Sequence, residues 1–99
     1  MTMNNRKATG TLTAVTGSAS VSIYCSTGNI KQVFIKPVTT STTFDVTLTD
    51  ENSNIVLTRT DEQEELNELV DLPCYATYTL SIANASKDED FKYIIMIQE

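Results

Sequence analysis

The chain contains no histidine. That removes the usual general base, the commonest transition-metal ligand and the ordinary Ser and Cys triads. Any catalysis would fall to carboxylates, to Lys or to an unaided thiol, and no spacing singles out such a group. Cys25 and Cys74 both fall on the apolar faces of strand-like segments. Buried free cysteine behaves as a small hydrophobe, which is the preferred reading for both. A disulfide between them stays open, because sequence does not place two sulfurs at bonding distance. A catalytic thiol would lack its partner base.

Acidic stretches are the next candidates. In "DENSNIVLTRTD", Asp50, Asn52 and Asn54 alternate as calcium ligands would, and Asp61 takes the twelfth position. Ile55 stands where that loop needs glycine for its sharp turn, so a polar hairpin turn is the better reading. "DED" at Asp88–Asp90 is read as an acidic turn, at most a weak cation site. Asn84–Ser86 fits the glycosylation pattern, which has meaning only in a secreted chain. Gly10, Gly17 and Gly28 are isolated, so no glycine-rich phosphate loop exists. No catalytic, metal or cofactor site is expected, and the chain is read as a non-enzyme.

The elements that would position any site follow from two-residue alternation. In "SASVSIYCS", Ala19, Val21, Ile23 and Cys25 share a face opposite Ser20, Ser22 and Tyr24. Phe44, Val46 and Leu48 oppose Asp45, Thr47 and Thr49, and Cys74, Ala76, Tyr78, Leu80 and Ile82 oppose Tyr75, Thr77, Thr79 and Ser81. Each pattern is that of a strand with one buried and one wet face. "ATGTLTAVT" reads as a Thr-rich edge strand, "IKQVFIKP" as a strand with mixed faces ended by Pro37, and "NIVLTRT" as the return of a hairpin. With the last segment, about seven strands are expected, in an antiparallel β-sandwich of jelly-roll or Ig-like type.

One stretch departs from that period. In "DEQEELNELVDLP", Asp61 can cap a helix, Glu64 can reach back as in a capping box, and Leu66, Leu69 and Val70 share a helical face. Pro73 would stop it. A short helix or helical turn across one end of the sandwich is expected, with an extended acidic loop as the alternative.

The final segment "DFKYIIMIQE" places Phe91, Tyr93, Ile95 and Ile97 on one face. Its other face also carries apolar residues, Ile94 and Met96, beside Lys92 and Gln98. Either the short helix or the N-terminal arm covers them or a neighbouring subunit does, the subunit contact being the preferred reading, and Phe34 on the mixed strand could join the same surface. Residues 1–9 are polar and without periodicity, and are read as a flexible arm before a single domain over 10–99. The candidate interface is therefore Ile94, Met96 and Phe34, with Asn4, Asn5, Arg6 and Lys7 of the arm.

Ninety-nine residues suit one domain with a modest core. A formal charge of −6 argues against a nucleic-acid grip, which needs clustered Lys and Arg. No apolar run reaches bilayer length, and "MTMNNRKATG", with no apolar stretch after Arg6 and Lys7, is not expected to act as a signal peptide. The absence of Trp weakens a base-stacking or sugar-stacking platform.

The strings "IKQVFIKPVTTSTTFDVTLTDENSNIVLTRT" and "LPCYATYTLSIANASKDEDFKYIIMIQE" resemble small virion proteins of tailed bacteriophages. The likeness covers most of the chain after the arm, and no catalytic motif anchors it. It implies a β-rich structural protein of the particle, a head decoration or cement subunit, often trimeric, bound to the major capsid protein at the outer shell. No binding residue transfers individually. A neck, collar or fibre-base subunit is the nearest alternative. A receptor- or glycan-binding sandwich, with Tyr24, Tyr75 and the acidic turns as contacts, is the alternative from another class.

Overall fold

The computed structural model describes residues 5–39 and 43–98, with the side chains of Asn5, Cys25, Ser26, Thr27, Cys74 and Tyr75 outside that description. Six strands run through it: β1 (Asn5–Ala14), β2 (Ala19–Pro37), β3 (Thr43–Thr49), β4 (Ile55–Gln63), β5 (Leu66–Ala83) and β6 (Glu89–Gln98). All pairings are antiparallel, in the order β1-β6-β2-β5-β3-β4.

β2 and β5 explain how one hydrogen-bonded series becomes two layers. At 19 residues, a straight β2 would span roughly 60 Å, whereas the molecule's longest extent is 44 Å. The β2–β5 ribbon must bend, and its register shifts between Cys25 and Thr27 and again between Ile30 and Gln32. Such bulges insert a residue and turn the strand. Beyond the bend, the second half of β2 and the first half of β5 join β6 and β1 in a first sheet. The other halves join β3 and β4 in a second. The result is a β-sandwich of two four-stranded antiparallel sheets. Where seven strands were expected, "SASVSIYCS" and "IKQVFIKP" run together as β2.

The bulge also resolves the mixed faces of "IKQVFIKP". Relative to β6, β2 gains Lys31, so Ile30 points inward with Val33 and Ile35 while Gln32 and Phe34 point outward. Ile30, Val33 and Ile35 are fully buried, and they meet Phe44, Val46, Leu48, Leu80 and Ile82 of the facing sheet. Phe44 of β3 and Phe91 of β6 touch edge-to-face across the layers, ring centroids 5.0 Å apart at 64°. Aromatic quadrupoles favour that geometry over a face-to-face stack.

The helix expected over 61–73 does not form; those residues are the end of β4, a tight turn and the first half of β5. Glu64 adopts a positive φ of 66° and the Glu65 amide donates to the Gln63 carbonyl at 2.7 Å. Inward positions after the turn are Leu66, Glu68, Val70 and Leu72. Glu68 interrupts an otherwise apolar alternation, and that one carboxylate hid the strand. It is satisfied by Arg59 of β4, which reaches it through two nitrogens at 2.8 and 2.5 Å. The carboxylate raises the Arg59 pKa further, chiefly by hydrogen bonding.

The arm is corrected in part. Residues 5–9 are strand, paired in register with Ile94–Gln98 of β6, while Asn4 lies outside the described residues. Arg6 faces inward at the sheet edge and donates to the Tyr24 carbonyl at 2.6 Å. Arg6 and Arg59 thus tie the two sheets together on opposite open sides of the sandwich. Whether Cys25 and Cys74 are bonded lies outside the described side chains. No helix among the described residues is long and apolar enough to cross a membrane.

Candidate functional site

The two outer faces of the sandwich differ in chemistry. On the second sheet, backbone register aligns Ser20, Ser81, Thr47 and Thr58 in one row across four strands. Ser22, Thr79 and Thr49 form the next row, and Tyr24, 63% exposed, stands opposite Thr77. This face is neutral and hydroxyl-rich, as an outward strand face in water should be. Asp45 closes one border, where it accepts from the Asp61 amide at 2.9 Å and from Asn84 Nδ2 at 2.5 Å. Those bonds, the Asp61 amide first, lower its pKa.

The outer face of the first sheet is apolar at its centre. Ile94 of β6 lies directly between Thr9 of β1 and Phe34 of β2. Met96 lies between Lys7 and Gln32, and Gln32 in turn faces Leu69 of β5. Opposed side chains on one sheet face sit about 5 Å apart at Cβ, so these residues are neighbours. Phe34, Ile94 and Met96 are half-buried by their flanks. Leu69 is 81% exposed. Among the described residues no element crosses this face.

Lysines border it. Lys7 flanks Met96, while Lys36 and Lys92 are direct register partners at the end nearest Pro37. All three are exposed. Among the described residues, the ion pairs are Lys31–Asp71 at 3.0 Å and Arg59–Glu68 at 2.5 Å, and neither includes these lysines.

Of the interface residues expected from sequence, Ile94, Met96, Phe34 and Lys7 come together on this face. Arg6 is a correction: strand alternation turns it inward, away from them, to the Tyr24 carbonyl. Asn4 and the Asn5 side chain lie outside the described residues. Leu69 joins this face although helical spacing groups it with Leu66 and Val70; in a two-residue period its odd offset from Leu66 puts it on the opposite face.

The other acidic candidates are structural. Asp50 Oδ1 accepts from the amides of Asn52 and Asn54, each at 2.9 Å, and Oδ2 accepts from Asn54 Nδ2 at 3.1 Å. The Asn54 amide is the main cause of a lowered Asp50 pKa. This is the polar hairpin turn read from sequence, with Ser53 at a positive φ of 66°. Asp90 accepts from Thr13 Oγ1 at 2.6 Å, pairing β6 to β1.

No protein-family model and no curated protein matches the chain. Solved structures do. PliG of Aeromonas hydrophila, a periplasmic lysozyme inhibitor of g-type lysozyme, aligns over 93% of this chain and 85% of its own, with a TM-score of 0.55 and 9% identity. The carbohydrate-binding module CBM36, solved with calcium and xylotriose, aligns over the whole of both chains at a TM-score of 0.45 and 16% identity. A chain of infectious bursal disease virus, Gx strain, aligns over 94% of this chain but 32% of its own, at a TM-score of 0.34 and 13% identity. At 9% identity, the likeness to PliG is one of fold alone.

Proposed function

We propose that this chain is a structural virion protein of the head-decoration or cement type, docking through the outer face of its first sheet. The observation that carries the reading is the convergence of Phe34, Ile94, Met96 and Leu69 on one surface that no element among the described residues crosses. An apolar centre with a charged border is the anatomy of a protein–protein contact. The resemblance to phage virion proteins supplies the setting: the capsid surface, with the major capsid protein as partner and further copies of the chain completing an oligomer, a trimer. The reading includes no catalysis and no cofactor.

The test is the copy number of the chain relative to the major capsid protein, measured by quantitative mass spectrometry of purified particles. A ratio comparable to the capsid protein supports a shell component. A ratio of a single vertex moves the chain to a neck, collar or fibre-base position. Absence from particles overturns the virion reading. That last outcome would favour the receptor- or glycan-binding alternative, whose contacts would lie on the other sheet around Tyr24, Ser22, Thr77 and Thr79.

A further inference from the structure

Lys36 and Lys92 face each other directly across β2 and β6, on the same outward face. Like charges in that position destabilise a sheet pair. Together with Pro37 and Val38 they line a concavity of about 260 Å³, and Val38 is 61% exposed. The Val38 amide donates to the Asp90 carbonyl at 2.9 Å, which fixes the rim. The nearest carboxylate along β6, Asp90, already accepts from Thr13. With Lys7, three of the chain's seven cations border the apolar face of a molecule whose net charge is −6.

Resting on the docking face proposed above, we infer that its occupant is an acidic protein segment. That segment sets a carboxylate between Lys36 and Lys92 and apolar side chains on Phe34, Ile94, Met96 and Leu69. Charge complementarity selects it. A second copy in a two-fold contact would bring this patch against itself, lysines against lysines. A nucleic acid would leave the apolar centre unmatched. Carboxylate recognition at a paired-lysine rim sets register and rate of association, while the apolar centre supplies affinity.

The test titrates the isotope-labelled full chain with a short capped peptide alternating Glu and Leu, with the same peptide carrying Lys in place of Glu, and with inorganic phosphate. Amide shifts are read by NMR. The acidic peptide is expected to shift Lys36, Lys92, Ile94 and Met96, with affinity falling as salt rises. In Lys36→Glu with Lys92→Glu that affinity drops about tenfold, a change of about 1.4 kcal/mol. Phosphate that saturates the lysines without moving Ile94 and Met96, while the acidic peptide does not bind, overturns the inference in favour of a small-anion site. Equal binding of the basic peptide also overturns it, as does a concentration-dependent dimer using the same residues. If Ile94→Ser with Met96→Ser abolishes peptide binding while lysine reversal changes nothing, the docking face stands and the acidic occupant falls. If neither variant changes binding, or shifts map elsewhere, both fall.

Discussion

Ile94 and Ile95 are chemically identical, adjacent in β6, and on opposite faces. Ile95 is fully buried between the sheets, whereas Ile94 is half-buried on the outer face. Truncation to alanine therefore measures what each face contacts. At Ile95 the loss combines transfer of the removed carbons with an unfilled cavity, about 3 kcal/mol. For a domain of this size that is roughly 12–25 °C in Tm. At Ile94 the removed atoms already meet water on one side, and the loss should be under about 1 kcal/mol. The total stability of a chain this long is about 5–15 kcal/mol, so both variants should still fold. Guanidinium unfolding followed by far-UV circular dichroism suits a protein without Trp, and unchanged m-values would confirm that only stability moved. Equal losses at the two positions would refute the reasoning, because they would mean that the outer face of the first sheet is itself covered.

Four further outcomes follow from named contacts. Phe44→Ala and Phe91→Ala should each cost about 3–5 kcal/mol, and their double-mutant cycle should return about 0.5–1.5 kcal/mol for the edge-to-face pair; a zero coupling would remove that contact from the core. Gly10→Ala should destabilise, because its Cβ would lie 2.8 Å from the Tyr93 hydroxyl oxygen, and Tyr93→Phe in the same chain should recover part of the loss, read as Tm. Ala76 sits at a positive φ of 61° beside the β2–β5 bulge, so Ala76→Gly should be neutral or stabilising by up to about 1 kcal/mol, and a clear loss in chemical unfolding would count against the left-handed bulge. The folded pKa of Asp45 lies below its ordinary 3.8, so its bonds to Asp61 and Asn84 add stability above that value and lose it as pH falls through the folded pKa. Asp45→Asn should then lose Tm at pH 7 and show a flatter decline below about pH 4 than the parent protein.

The sequence by itself determined which faces of most strands are buried. Phe44, Val46 and Leu48, or Phe91, Tyr93, Ile95 and Ile97, alternate without interruption, and burying an apolar set on one side of a pleat leaves a strand no second register. It also determined the hairpin turn at Asp50–Asn54, because the turn is closed by local side-chain bonds. The β5 stretch was not legible, because Glu68 breaks the alternation and its partner Arg59 lies on a different strand. Nor was the bend of β2, since a bulge shows as mixed faces in one strand and as geometry only against two neighbours. The outer face follows the same division. Ile94 and Met96 announced an apolar second face from their spacing alone. That Phe34 and Leu69 complete it, and that Lys36 meets Lys92 at its rim, was decided by the register of four strands brought together in tertiary structure.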